Sequence, residues 1–570
     1  NMKADDGTPY DRGGYLRRIE YGLTTDDVFA TAPARVNFTV AERCLTTDSF
    51  DCAPEKREKD NAKHWPDVPL DQDCKADAKC TDKFSPAFFT TKRLEKAITQ
   101  IHDGSSYSTV DSWQFEHAFP APGDGTDPTP WLKSVTHTGH VGGTLANPSL
   151  TFAGTPMPNR VDSTSDGVAP LNKWRVTAVY TETGGQLDIS YSDPDCTAGS
   201  APTPHTNTKR CYPVHWVPSG RGDDDITDWF HKYVVTQVLE VDLVTDQPDV
   251  VTTYDYQGGG AWRYMDAGGW TEDDKRTWSQ WRGYEVVRVR SGLADGTQSE
   301  EEHRFFRGMH GDHQPNGTRS AKVTDSEGGE HTDHDRYNGQ TLETLTRNGP
   351  GGEIVEKEIS LPWSRKTGSR TYSWGTLEAH QVDVASVRSY APLAGGGWRQ
   401  QRTDTTYDDF GMPIEVFDHG DVSVNGDEVC TRTTYARNTA LNLLELPARE
   451  ELLSVGCDAT PTRPDDVLGD IRTLYDGKAF GQAPTQGVQT SSERLVGYDG
   501  AAPRYQVTET STFDRYGRQL TQTDAEGNTT TTEYTDHTVG GGTTKITTTN
   551  PPGHTSTPPP DPPRATALTD

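Results

Sequence analysis

Ser511 to Asn528 reads STFDRYGRQLTQTDAEGN, and Thr405 to Asp421 reads TTYDDFGMPIEVFDHGD. Set side by side, both carry aromatic, Asp, any residue, aromatic, Gly: Phe513, Asp514, Arg515, Tyr516, Gly517 and Tyr407, Asp408, Asp409, Phe410, Gly411. A short β-type run follows each, then Asp524 or Asp418, then a glycine, Gly527 in the clearer copy. Arg518 follows Gly517, and Tyr534 in TTTTEY closes that unit. Weaker copies sit at Tyr337-Asn338-Gly339, Tyr475-Asp476-Gly477 and Tyr498-Asp499-Gly500. Asp shortly before Gly favours a tight turn, because the Asp side chain caps its own backbone and Gly takes positive φ. The residues between two such turns form a strand. A hairpin of this kind cannot bury its own face, so the units must join into a continuous sheet, with regularly placed aromatics stacking between units.

The rest of the chain carries the same signal less regularly. Val36, Phe38 and Val40 alternate with polar neighbours, as do Leu187, Ile189 and Tyr191; Tyr233 to Val244 and Tyr284 to Val289 are Val-rich runs. Period-two alternation is the mark of strands with one buried face. The best helical segment is Thr91 to His102, where Leu94, Ala97, Ile98 and Ile101 share one helical face, although AITQI also reads as strand. The chain is therefore expected to be all-β. Residues 1–330 read as an irregular β-rich region, and 331–570 as degenerate to clear repeats that stop short at the C-terminus.

Composition narrows the function. With 55 Lys and Arg against 85 Asp and Glu, the net charge is −30, which argues against binding a phosphate backbone. Hydrophobic residues are only 31%, but 22 Tyr and 13 Trp are far more than a disordered chain carries. No apolar run approaches the roughly 20 residues that cross a bilayer as a helix. The chain begins at Asn1 and ends at Asp570 after a Pro-rich stretch, which reads as a portion of a longer polypeptide. The cysteines fall into four local pairs, Cys44/Cys52, Cys74/Cys80, Cys196/Cys211 and Cys430/Cys457, without zinc-ribbon spacing. The simplest reading is disulfides formed in an oxidising compartment, hence a secreted or cell-surface protein; free buried cysteines are the alternative.

Tyr-Asp-x-x-Gly, a strand, Asp-x-x-Gly-x-x-Thr and a closing Tyr resembles the YD repeat of RHS-repeat proteins. Phe513 to Tyr534 matches throughout, including Arg518 and Asn528-Thr529; in Tyr407 to Tyr435, Met412 stands where the repeat has Arg. Segments such as Tyr15 to Gly22 (YLRRIEYG), Asn159 to Asp162 and Phe305 to Met309 resemble secreted actinobacterial RHS proteins, polymorphic toxins and toxin-complex shell subunits. The resemblance implies a β-sheet spiral that forms part of a hollow, cocoon-like shell. It also implies a partner, the protein's own C-terminal effector polypeptide, enclosed inside. The family's Asp-Pro-x-Gly-Leu self-cleavage motif does not occur here, so no catalytic residue is assigned.

Three constellations remain as candidates for chemistry. His303, His310, Asp312 and His313, followed by His331, Asp333, His334 and Asp335, have ligand types suited to a divalent metal. The plainer alternative is polar loops flanking a hairpin. Asp124 with Asp127, and Asp223 to Asp225, offer oxygens of the kind Ca2+ prefers, without the twelve-residue calcium loop. Trp262, Trp270, Trp278 and Trp281 cluster with Tyr254, Tyr256 and Tyr264 and could stack on cell-surface glycans, or simply fill a sheet face. GxSxG, Walker and dinucleotide-binding motifs are missing, so the chain is read as a structural protein. An adhesin or surface scaffold is the second reading, and a carbohydrate-active enzyme the third.

Overall fold

A computed structural model describes residues 11–70, 87–163, 166–218, 225–245, 247–265, 271–373, 375–536 and 543–551. Twenty-six strands form one sheet. The path is a meander. Arg18–Tyr21 pairs with Ala34–Glu42, which pairs with Lys92–His102, then Tyr107–Ala118, and so on antiparallel to Thr543–Thr549. Long excursions leave the meander and return to the adjacent position; the first is residues 43–91, of which 71–86 lie outside the described residues. Residues 192–234 carry the hairpin Cys211–Trp216 with Ile226–His231, and 306–340 carry two short hairpins. Across the excursion 306–340, Gln298–Phe305 pairs directly with Thr341–Arg347.

The expected strands around Val36, Leu187, Val238 and Val287 are all present. The helical expectation for Thr91 to His102 is corrected: Lys92–His102 is a strand. Leu94 faces Val40, and Ala97 lies between Phe38 and Trp113 on the two neighbouring strands. Backbone partners on both sides, with Ile98, Thr99 and Ile101 branched at Cβ, outweigh a helical stripe that had nothing to pack against.

The sheet is curled. Asp26, in the loop after the first strand, accepts a hydrogen bond from the Tyr516 hydroxyl at 3.0 Å and pairs with Arg515 at 2.6 Å. Along the sheet these two places lie about twenty strands apart, a path of roughly 100 Å at ~4.8 Å per strand. The two ends meet because the sheet bends round on itself. Its faces are largely open. The accessible surface is 33320 Å², against about 20,000 Å² for a close-packed monomer of this mass. Among the described residues, buried apolar side chains gather in four small separate clusters and not in one core.

The largest cluster shows how an excursion seals part of one face. Phe306, Val323 and Tyr337 from 306–340 pack on Leu342, Ile359 and Tyr390 of the sheet. Around it, charges are laddered across strands. Arg288 pairs with Glu302 and Arg290 with Glu300, each at 2.7 Å, in register. Arg304 reaches Glu343 at 3.4 Å. Glu300, Glu302 and Glu343 are buried, and each carries its guanidinium with it.

Three disulfides join the predicted local pairs Cys44–Cys52, Cys196–Cys211 and Cys430–Cys457. Cys74 and Cys80 lie outside the described residues. Cys430 is completely buried, and its bridge closes a segment with sequence separation 27. Loop-closure entropy for that length is about 3.5 kcal/mol. Replacing both cysteines with Ser is expected to lose a similar amount locally. Hydrogen exchange across the paired strands Val429–Asn438 and Leu443–Leu453 should then accelerate by more than a hundredfold, and an unchanged rate would refute the role.

Candidate functional site

The repeat turns are the most regular local structure. In the first, the Asp408 amide donates to the Met412 carbonyl at 3.0 Å, and Gly411 donates back to Asp408 at 3.0 Å. The Asp408 carboxylate accepts from the amides of Phe410 at 2.7 Å and Met412 at 3.1 Å. Asp514 repeats this with Tyr516 at 2.8 Å and Arg518 at 3.0 Å, and Asp524 with Glu526 at 3.0 Å and Asn528 at 2.8 Å. The fourth residue is Gly411, Gly517 or Gly527, with φ of 77°, 80° and 85°. Asp418 caps only Gly420, at 2.9 Å, in a wider turn. A fourth copy, Asp325 to Gly329, was not read from the sequence. Its carboxylate accepts from Glu327 at 3.0 Å and Gly329 at 2.7 Å, and Gly328 has φ 86°. No aromatic precedes Asp325, so the Asp-x-x-Gly signal was there without its usual flank. Positive φ costs a residue with Cβ about 1–2 kcal/mol. Gly517→Ala is therefore expected to destabilise its hairpin by that amount; the Cβ itself meets only Val488 at 3.6 Å. Equal exchange protection of the Phe513 and Gln519 amides in variant and parent would contradict this.

The aromatic residues do not simply stack on one another. The hydroxyls of Tyr407, Tyr435 and Tyr534 donate to backbone carbonyls of the preceding strand, at Val384 (2.7 Å), Pro413 (2.7 Å) and Gln519 (3.0 Å). Each tyrosine clips its strand to its neighbour. In the clear repeat Arg518 lies 4.5 Å over Tyr534 and pairs with Asp514 and Asp536, both at 2.6 Å. Where Met412 replaces that arginine, Arg437 takes over. It arrives from the next strand, pairs with Asp408, and sits 4.8 Å over Tyr435. Burial pulls the Asp514 carboxyl upward, but the Arg518 amide and guanidinium outweigh it and hold it below the ordinary carboxylate range.

All three weaker copies use other geometry. Asp476 caps the amides of Thr485 to Val488 across its own loop, and Tyr498-Asp499-Gly500 begins a two-residue hairpin closed by Asp499 and Ala502. Tyr337 ends a short 3-10 turn.

The histidine-rich region is only partly assembled. His310 and His334 are adjacent, with ring centres 5.3 Å apart. Asp333 is buried and accepts from the amides of Arg307 (2.8 Å), Gly308 (2.7 Å) and Met309 (2.9 Å). Asp312 is buried and accepts from the Tyr264 amide at 2.9 Å. His331 bonds Asp325 at 2.9 Å on a separate hairpin, and His313 packs against Tyr264 and Trp278. The two aspartates thus hold the excursion's backbone in place. Among the described residues, no group of three or more His, Cys, Asp or Glu is placed to hold a metal ion. Asp124 accepts from Thr126 and from the Asn172 amide, tying two loops, and Asp225 pairs with Lys275 at 2.6 Å. Asp223, Asp224 and Trp270 lie outside the described residues.

The tryptophans fill the sheet. Trp262 is buried, its indole N–H donates to the Lys209 carbonyl at 2.8 Å, and its ring lies 4.8 Å from Trp281 on the paired strand. The preceding Gly258 to Gly260 form a bulge, and a Cβ on Gly260 would meet the Trp281 ring at 2.5 Å. Tyr264 packs on Trp278, whose indole donates to the His313 carbonyl at 3.0 Å.

Beside the excursion lies a cleft of about 660 Å³, into which His310, His334, His380, Arg263, Arg276 and Arg336 converge. His380, Arg263, Arg276 and Arg336 were not singled out in the sequence. They come from separate strands and loops, and only the fold brings them together.

No protein-family model matches the chain, and no curated protein matches it. Solved structures do. A crystal structure of TcdB2-TccC3 aligns over 94% of this chain and 47% of that chain, with TM-score 0.47 and 10% identity. TcdB2-TccC3-Cdc42 aligns over 94% and 46%, with TM-score 0.47 and 9% identity. TcdB2-TccC3 without its hypervariable C-terminal region aligns over 80% and 32%, with TM-score 0.36 and 10% identity. The chain spans about half the length of the first two solved chains it matches.

Proposed function

We propose that this chain is a wall segment of a secreted RHS-type shell, which wraps and protects an effector carried on the same polypeptide. The observation that carries the reading is the meeting of Asp26 with Arg515 and Tyr516 across the curled sheet. A circuit of roughly 100 Å encloses a space roughly 30 Å across between backbone walls at ~4.8 Å per strand. That is room for an extended or partly folded polypeptide, not for a small molecule. The disulfides support an oxidising location. The chemistry is mechanical: repeat turns, tyrosine clips and ion ladders hold the wall, and no side chain is assigned a catalytic step.

The test is limited proteolysis of the native full-length polypeptide, followed by intact mass under reducing and non-reducing conditions. The proposal expects a C-terminal fragment that co-purifies with the shell and resists protease until the shell is unfolded. A C-terminal portion digested as fast as the free peptide would overturn enclosure.

A further inference from the structure

The cleft beside the 306–340 excursion has a composition that the shell reading does not require. Its walls are His310, His334, Asp335 and Arg336 from the excursion, Glu378 and His380 from the strand Gly375–Pro392, and Arg263 and Arg276 opposite. Three guanidinium and three imidazole groups thus meet two carboxylates, in a chain whose overall charge is −30. Both carboxylates are already engaged by cations. Asp335 pairs with Arg282 at 2.9 Å and Arg263 at 3.5 Å, and Glu378 with Lys366 at 3.1 Å and with His380 Nε2 at 3.6 Å, which leaves the other ring nitrogen of His380 for a ligand. Arg263 is spent on the carbonyls of Gly308 and His310.

Donors remain. Arg336 gives its Nε to Ser364 at 2.7 Å, which fixes the plane of the guanidinium and leaves its terminal nitrogens without an acceptor among the described residues. Arg276 uses Nε on the Thr271 carbonyl and one terminal nitrogen on Asp273. The His334 imidazole makes ring contacts with His310 and Tyr337 and no hydrogen bond. Burial, then Arg336 and His310, push its proton affinity below the ordinary range.

We propose that this cleft binds the oxyanion group, phosphate or sulfate, of a small organic molecule, held by Arg336 and Arg276 with His334 and His380 as further donors. A planar guanidinium with two terminal nitrogens matches two oxygens of such a group. The volume exceeds what one inorganic ion fills and lies in the range of small-molecule sites. The organic part would lie against Leu377 and Val382, the apolar members of the lining.

The test is calorimetric titration of the whole chain at pH 7 and low ionic strength with inorganic phosphate, inorganic sulfate, glucose 6-phosphate and chloride. Glucose 6-phosphate is expected to bind about tenfold more tightly than either inorganic dianion, and chloride not at all. Preference between the two inorganic dianions identifies the group. Arg336→Gln is expected to weaken glucose 6-phosphate about tenfold, since it removes a charge-assisted pair. Arg336 is exposed, so this variant should fold; the His380→Gln variant provides the second reading, and exchange protection of Thr341–Arg347 confirms an intact wall. No heat with any dianion, equal affinity for chloride, or unchanged affinity in both variants would overturn the site.

Discussion

Arg160→Met should release the hairpin Cys211–Trp216 with Ile226–His231 from the sheet, at a cost of about 3–5 kcal/mol. The Arg160 side chain is 1% exposed. Its guanidinium pairs with Asp228 and Asp162, each at 2.6 Å, and with Asp166, and it also donates to the Val168 carbonyl at 3.2 Å. Burial works against the charge, but the carboxylates, Asp228 first, outweigh it and raise the guanidinium's affinity for its proton. Removing it leaves three like charges facing one another. Asp162 and Asp166 are 30% exposed and can turn to water. Asp228, 14% exposed, has less freedom, so most of the cost falls there. Arg160→Lys keeps the charge but not the fork and should recover only part of the loss. Amide exchange in Ile226–His231 is the direct measurement. A change below about 1 kcal/mol would show that water had already neutralised the cluster.

Leu342→Ala is expected to cost about 3–4 kcal/mol and to act on the cleft as well as on the sheet. Leu342 is fully buried between Phe306, Val323 and Tyr337 of the excursion and Ile359 of the next strand. Leu342 is the residue that the ladder with Gln298–Phe305 skips, so its side chain is placed by the surrounding cluster, which lines the cavity that the substitution leaves. The excursion should loosen first, since its own hairpins are only two and three residues long. Exchange should rise at Lys322–Thr324 and Glu330–Thr332 while Gln298–Phe305 stays protected. Leu342→Met, of similar volume, should cost less than about 1.5 kcal/mol. Uniform loosening of both regions would mean that the excursion and the sheet unfold as one unit.

The sheet was legible because its information is local. Asp514 and Gly517 dictate a turn whatever surrounds them, and the alternation in Val36 to Val40 needs only one buried face. The strand Lys92–His102 was ambiguous because its decisive partners, Phe38 and Trp113, lie elsewhere in the sequence. The cleft was invisible for the same reason in stronger form. Arg276, Arg336 and His380 have no mutual spacing to read, and each alone resembles a solvated polar residue. The histidine-rich strings drew the eye, yet Asp312 and Asp333 are spent on backbone amides, a use that composition cannot distinguish from metal ligation.

The meander has a consequence for how such a wall is made. Almost every strand pairs with the strand before it and the strand after it. Each new hairpin therefore adds to a finished edge with little loop to close, and low contact separation favours rapid, stepwise growth. A chain emerging end-first from a narrow exit can fold in the order it appears, the growing edge being always the newest strand while the first strand keeps its outer side unpaired. The bond from Tyr516 to Asp26 spans 490 residues, so in that order it forms near the end. Until then the curl stays open on one side.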